Sequence, residues 1–209
     1  MSKLIVTAFL TLDGVMQAPG GPDEDVEGGF RHGGWHMPYV DEDFMALMTG
    51  VFDRTADHLL LGRRTYDIFA GYWPRVTDGD DAIAVRLNTM PKYVASRTLT
   101  SLKWHNSHLL RGDAAESVAA LKERLDGVLM TQGSSDLIAT LQRHDLVDEY
   151  RLMTVPVVLG TGKRLFSPGA TATAWRLAET HTTPAGIQYC RYERAGEPGY
   201  GTADAPRRL

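Results

Sequence analysis

Apolar and polar positions change period several times along the 209 residues. Residues 4–12 are apolar and β-branched and stop at Asp13-Gly14, which predicts a buried strand closed by a turn. From Asp41, "DEDFMALMTGVF" places Phe44, Leu47, Met48 and Val51 at helical spacing, with acids in the first turn. Residues 58–61 read as a strand, and the segment after Arg63, carrying Tyr66 and Phe69, as a helix. "KYVAS" and "SHLL" are short strands. "DAAESVAALKERL" is an amphipathic helix with Asp113 as its N-cap. "GVLMTQG" is a strand, and "SSDLIATLQRHDL" is a helix capped by Ser134 or Ser135. "DEYRLMTVPVVLG" is a long strand in which Pro156 implies a bend or an edge position. The residues on either side of Pro184-Ala185-Gly186 alternate, so they read as a terminal hairpin. Strands alternating with helices predict an α/β fold, with a mostly parallel sheet, helices on both faces and antiparallel strands at one end.

Two segments break the pattern. Residues 16–38 hold six glycines and three prolines, which predicts a long loop acting as a mobile lid. Residues 195–209 are polar and Gly/Pro-rich and read as a flexible tail after a single domain spanning 1–194.

Composition narrows the function classes. A net charge of −4 does not suggest general nucleic-acid binding, so any anion site is local. The single cysteine, Cys190, lies among apolar and aromatic neighbours and reads as a packed strand residue. One cysteine forms no internal disulfide, which fits a reducing compartment. The apolar stretch near the N-terminus is too short and interrupted for a membrane helix and lacks a cleavage pattern. The chain reads as a soluble cytoplasmic protein acting on a small molecule, with no nucleic-acid or membrane partner.

Three strand ends carry the same chemistry: Gly62, Arg63, Arg64 and Thr65; Ser96 and Arg97; Gly133, Ser134 and Ser135. In a parallel sheet such ends lie along one edge, where ligands bind. Two of them start helices, whose N–H groups and positive dipole suit a pyrophosphate. Arginine beside a hydroxyl suits a terminal phosphate, because the guanidinium fork binds two oxygens. Together they point to a dinucleotide with an extra phosphate. No GxGxxG follows the first strand and no Walker motif is present. His32 and His36 stand four apart, but the glycines around them argue against a helical metal site, and none is expected.

"TLDGVM", "LLLGRRTYDIF", "PKYVASRTL", "TQGSSDLIATLQRHDLVDEYRL" and "PVVLGTGKRLF" occur in this order over residues 3–194. In this the chain resembles the dihydrofolate reductase superfamily. It is most similar to the reductase domain of the bifunctional riboflavin-biosynthesis deaminase-reductase. The resemblance implies a mixed, mostly parallel eight-stranded sheet with a C-terminal antiparallel hairpin, binding NADPH. It implies that Arg63, Ser96 and Arg97 hold the 2′-phosphate. It places Gly62, Arg64, Thr65, Gly133, Ser134 and Ser135 at the pyrophosphate, and Leu12, Asp13 and Gly14 along the nicotinamide. It also implies a carboxylate near the helix after the lid, with Asp41, Glu42 and Asp43 as candidates. Trp35 and Trp73 are candidates for a stacking wall at the substrate. The basic segment that this branch uses for a ribose phosphate is reduced here to Arg54, and the zinc deaminase motif is absent.

The leading expectation is an NADPH-dependent reductase of a small polarised C=N or C=O substrate. The resemblance offers a phosphoribosylaminouracil or a pteridine as that substrate. Alternatives are a non-catalytic NADPH-binding sensor, and a homodimer whose role is mainly assembly.

Overall fold

The computed structural model describes residues 1–202, and for Asp53, Arg54 and Thr55 the backbone alone. The Arg54 side chain and residues 203–209 of the expected tail lie outside the described residues. Eight strands form one sheet: β1 (Lys3–Thr11), β2 (His58–Gly62), β3 (Lys92–Ala95), β4 (Ser107–Leu110), β5 (Val128–Thr131), β6 (Glu149–Val155), β7 (Trp175–Thr182) and β8 (Gln188–Arg194). Their order is β4-β3-β2-β5-β1-β6-β8-β7. Strands β4 to β6 in that order are parallel; β8 runs antiparallel to β6, and β7 antiparallel to β8. The expected sheet and terminal hairpin are therefore present.

Five helices flank it: α1 (Glu42–Thr55), α2 (Arg63–Tyr72), α3 (Ala82–Thr89), α4 (Ala114–Arg124) and α5 (Ser135–Arg143). Strand β1 shows why both faces are covered. Its alternate residues Leu4, Val6, Ala8 and Leu10 enter one apolar cluster with Val118 and Leu121 of α4 and Ile138 and Leu141 of α5. Phe9, on the opposite face, joins Phe44 and Met48 of α1, Tyr66 of α2 and Ile83 and Leu87 of α3.

Three local readings change. Strand β6 ends at Val155, so Pro156 terminates it instead of bending it. Helix α3, which the periodicity left unassigned, begins at an Asp81 cap. The glycine-rich segment is partly core: Ala18, Phe30 and Trp35 are buried in the same cluster as Phe44. Trp35 donates its indole N–H to the Gln17 carbonyl at 2.7 Å.

Candidate functional site

The C-terminal ends of β2, β3 and β5 open into one cavity of about 1380 Å³. Gly62, Arg63, Arg64 and Thr65 line it after β2, Ser96 and Arg97 after β3, and Gly133, Ser134 and Ser135 after β5. The three groups singled out in the sequence are thus brought together. Beyond them the wall becomes apolar, with Phe9, Phe44, Met48, Phe52 and Trp73.

The helix starts at this edge differ from the others. Asp41, Asp81 and Asp113 each accept a hydrogen bond from a backbone N–H in the first turn of their own helix, at 2.7, 2.9 and 3.0 Å. Gly62 and Ser134, which start α2 and α5, make no such side-chain bond. The first N–H groups of α2 and α5 are left for something else, and the helix dipole makes that end attractive to an anion.

The two uncapped starts are packed against each other. Thr65 Oγ1 and Ser134 Oγ lie 2.9 Å apart. A Cβ on Gly62 would sit 2.3 Å from Ser134 Oγ and 2.9 Å from Ser134 Cβ. Glycine is therefore needed at 62 because the Ser134 side chain packs onto it, not because of its φ of −76°. Gly133 does need its flexibility, with φ +82°.

The arginines divide. Arg63 is half-exposed and pairs with Asp67 at 3.5 Å. Arg97 is exposed and has no ion-pair partner among the described residues. Arg64 instead reaches the loop, 3.3 Å from Asp25 and bonded to Glu27. Lys163 joins them, 2.6 Å from Asp25 and also paired with Glu27. Hydrogen bonds from Arg64 and Lys163 hold the Glu27 carboxyl down to about 2. This four-charge cluster ties the glycine-rich segment to α2 and to the loop after β6.

Other candidates take structural roles. Leu12, Asp13 and Gly14 do not line the cavity, and Leu12 is 64% exposed. The Asp13 carboxylate accepts from the Thr11 hydroxyl at 2.6 Å and from the Leu159 and Gly160 N–H groups at 3.2 and 2.9 Å. Those bonds, Thr11 foremost, hold it well below the usual carboxylate range. Asp13 thereby fastens the loop after β6 to the end of β1.

None of Asp41, Glu42 and Asp43 lines the cavity. Asp41 turns back to cap α1 and also accepts from the Ala185 N–H at 3.0 Å. Asp43 lies 2.6 Å from His181 Nε2 on β7, and Glu42 is exposed. Both aspartates are thus drawn to the terminal hairpin or the helix end. Trp73 lines the cavity, whereas Trp35 is 7% exposed in the core and does not.

A model of the RibD C-terminal domain matches residues 2–189. The chain belongs to this family. The uncharacterised Bacillus subtilis (strain 168) protein YyaP is 26% identical over 196 residues, covering 93% of this chain and 96% of that protein. A provisionally described riboflavin biosynthesis protein from a Shewanella species aligns with TM-score 0.63 and 21% identity, over 92% of this chain and 99% of its own. A pyrimidine reductase-like protein from Corynebacterium diphtheriae aligns with TM-score 0.64 and 12% identity, over 94% and 93%. Dihydrofolate reductase from Enterococcus faecalis, complexed with NADP(H), gives TM-score 0.59 and 15% identity, over 92% and 96%. At these identities the structural likenesses establish a dihydrofolate-reductase-like fold.

Within this RibD C-terminal domain several cavity residues escape a reading of the sequence, Glu24, Thr7 and His36 among them. Glu24 lines the wall, and burial pushes its carboxyl up despite N–H donation from Gly20 and Gly21. Its only signal was an acid in a glycine-rich loop. In the sequence Thr7 reads as one more β-branched strand residue, and His36 stands out only through its spacing from His32. The structure puts His36 over Phe9, with ring centroids 4.4 Å apart. No helix among the described residues is long and apolar enough to cross a membrane.

Proposed function

We propose that the chain is an NADPH-dependent reductase acting on a small polarised C=N or C=O substrate. One observation carries the reading: two uncapped helix starts and two available arginines share the edge of one cavity. The α2 and α5 N–H groups, with Thr65, Ser134 and Ser135, suit a pyrophosphate. Arg63 and Arg97, with the Ser96 hydroxyl, suit a further phosphate. The missing room at Gly62 holds the starts of α2 and α5 in contact. Arg64 contributes through its main chain, since its side chain holds the loop.

When bound, NADPH would supply a hydride, and a water molecule would supply the proton that completes the reduction. The chain's own contribution is to hold the donor by its phosphates and to present the acceptor against the apolar wall formed by Phe9, Phe44 and Trp73. That wall gives a flat acceptor an apolar surface to lie against.

Fluorescence titration and NADPH oxidation over a panel of imines and carbonyls test this. NADPH is expected to bind at least about tenfold more tightly than NADH, because one charge-assisted hydrogen bond is worth about 1.5–3 kcal/mol. Arg63→Ala and Arg97→Ala should each remove about tenfold of NADPH affinity and leave NADH unchanged. Equal affinity for the two cofactors in the wild type would overturn the cofactor assignment. Tight NADPH binding with no turnover across the panel would favour a sensor.

A further inference from the structure

The segment "GGPDEDVEGG", residues 20–29, sets four acids between two glycine pairs. Three of the four, Asp23, Glu24 and Asp25, line the cavity, whose cationic side chains are Arg63, Arg64, Arg97, Arg143 and Lys163. Carboxylates on that wall repel the very phosphate that the helix starts and arginines suit. Their placement there needs a reason of its own.

The ion pairs supply one. Asp25 and Glu27 each pair with both Arg64 and Lys163. Arg64 stands at the start of α2, after β2. Lys163 belongs to the loop after β6, where the next residue, Arg164, bridges Val15 beyond the end of β1. Strand β5 lies between β2 and β1. The cluster therefore joins the two sides of the strand end at which Gly133, Ser134 and Ser135 open into the cavity. Gln17, 4% exposed, holds the segment from the core by donating its side-chain amide to the Asp25 and Glu27 carbonyls, both at 3.0 Å. Gly28 and Gly29 have φ of +68° and +74°, and a Cβ on Gly21, Gly28 or Gly29 would meet nothing within 4 Å. Glycine at these positions serves the path of the backbone, not close packing, which gives the acid-rich segment freedom to turn at each end. A phosphate presents the same paired oxygens to a guanidinium as a carboxylate does.

We propose that Asp25 and Glu27 form an autoinhibitory strap: in the empty protein they occupy Arg64 and Lys163, and an entering phosphate group competes for these two cations and displaces the strap. Until then Arg64 serves the site through its main chain alone. A lid that closes over a bound ligand does the opposite. The proposal rests on the reading that this edge of the cavity takes a phosphate-bearing ligand.

Amide exchange across residues 17–38 of the full chain, with and without inorganic pyrophosphate at constant pH and ionic strength, gives the sign. Pyrophosphate should quicken exchange there by about threefold or more, because the strap opens locally; a closing lid would be protected instead. Calorimetry gives the size. Asp25→Asn with Glu27→Gln keeps the side-chain shapes and removes all four ion pairs. Such partly exposed pairs are together worth about tenfold, so pyrophosphate and NADPH should each bind about tenfold more tightly. Asp23→Asn with Asp136→Asn removes the same charge from the same wall, and neither residue pairs with Arg64 or Lys163 among the described residues. Screening should keep the gain in that control below about threefold. Pyrophosphate protecting the segment, pyrophosphate binding neither wild type nor variant, wild-type affinity in the first double variant, or an equal gain in the control would overturn the proposal. If the first double variant fails to fold, the sign of the exchange change in the wild type decides. Displacement of the strap by pyrophosphate without NADPH binding would remove the reductase reading and leave the strap standing. NADPH binding with a protected segment would do the reverse.

Discussion

Helices α1, α3 and α4 begin with an aspartate that bonds its own first turn, whereas α2 and α5 begin with Gly62 and Ser134 and no side-chain bond. All five flank one sheet, so packing alone does not explain the division. A capped start has its exposed donors partly satisfied and gains stability from it. An uncapped start gives up that gain and keeps its donors available. The division follows the cavity: α2 and α5 start where strands β2 and β5 open into it. Asp81 and Asp113 also touch its wall, but their carboxylates are turned onto their own helices. Helix ends that use their donors for stability are thus separated from helix ends whose donors stay available.

Filling the space between the two uncapped starts should have the largest effect. In Gly62→Ala the new methyl group meets Ser134 at both Oγ and Cβ, so the backbone of one helix start must move. Overpacking of this kind costs about 1–3 kcal/mol. The gain from a less flexible unfolded chain, about 0.4–1 kcal/mol, offsets only part of it. Urea unfolding should report the loss, and NADPH affinity should fall with it because the donors are displaced. A variant of normal stability and affinity would mean that the starts of α2 and α5 do not act as a unit.

The ligand side of this contrast was more legible than the structural side. Gly62, Arg63, Arg64 and Thr65 stood out because a strand and a helix met at two cations, and the topology then placed the other two strand ends beside them. Helix α3 escaped because its eight residues are too short for a convincing period, although Asp81 was a readable cap. The acids of α1 were misleading for the same physical reason: a carboxylate at a helix start suits a cap and a catalyst equally, and only coordinates show which way it turns. Thr7 and His36 were hidden because burial beside a cavity is a property of the packed state, with no signature in residue type.

The ionic cluster on the loop offers a smaller effect. Arg64 is part of an uncapped start, yet its side chain is used to hold Asp25 and Glu27. Arg64→Ala leaves Lys163 as their remaining partner. Partly exposed pairs contribute little each, so amide exchange across residues 17–38 should quicken only about threefold, with Phe30 and Trp35 still anchoring the segment. Protection of the same amides, taken relative to the intrinsic exchange rate at each pH, should fall in acid. Asp25 and Glu27 have lowered carboxyl values, so the cluster is intact above the ordinary carboxylate range and loosens as pH falls toward about 2, where Glu27 takes up its proton. Unchanged exchange in Arg64→Ala would show that apolar packing alone fixes the loop.

The smallest effect belongs to a capped start, and its sign can be worked out. Asp41 is held below the ordinary aspartate value of 3.8, first by the Phe44 N–H, with help from the Ala185 N–H. A group whose carboxyl is lowered on folding binds its proton less readily in the native state than in the unfolded one. The stability it contributes is complete above the ordinary value and disappears as pH falls through the lower, folded one. Asparagine is an equally good N-cap, so Asp41→Asn should change stability little at neutral pH. Its unfolding midpoint should fall less steeply than the wild type's as the solution is acidified below about pH 4. NADPH oxidation should stay near normal, because the side chain faces the helix and the hairpin, not the cavity. A folded Asp41→Asn protein whose turnover collapsed while its NADPH affinity held would return this carboxylate to the chemistry. It would also mean that a cap and a catalytic group had been combined at one helix start.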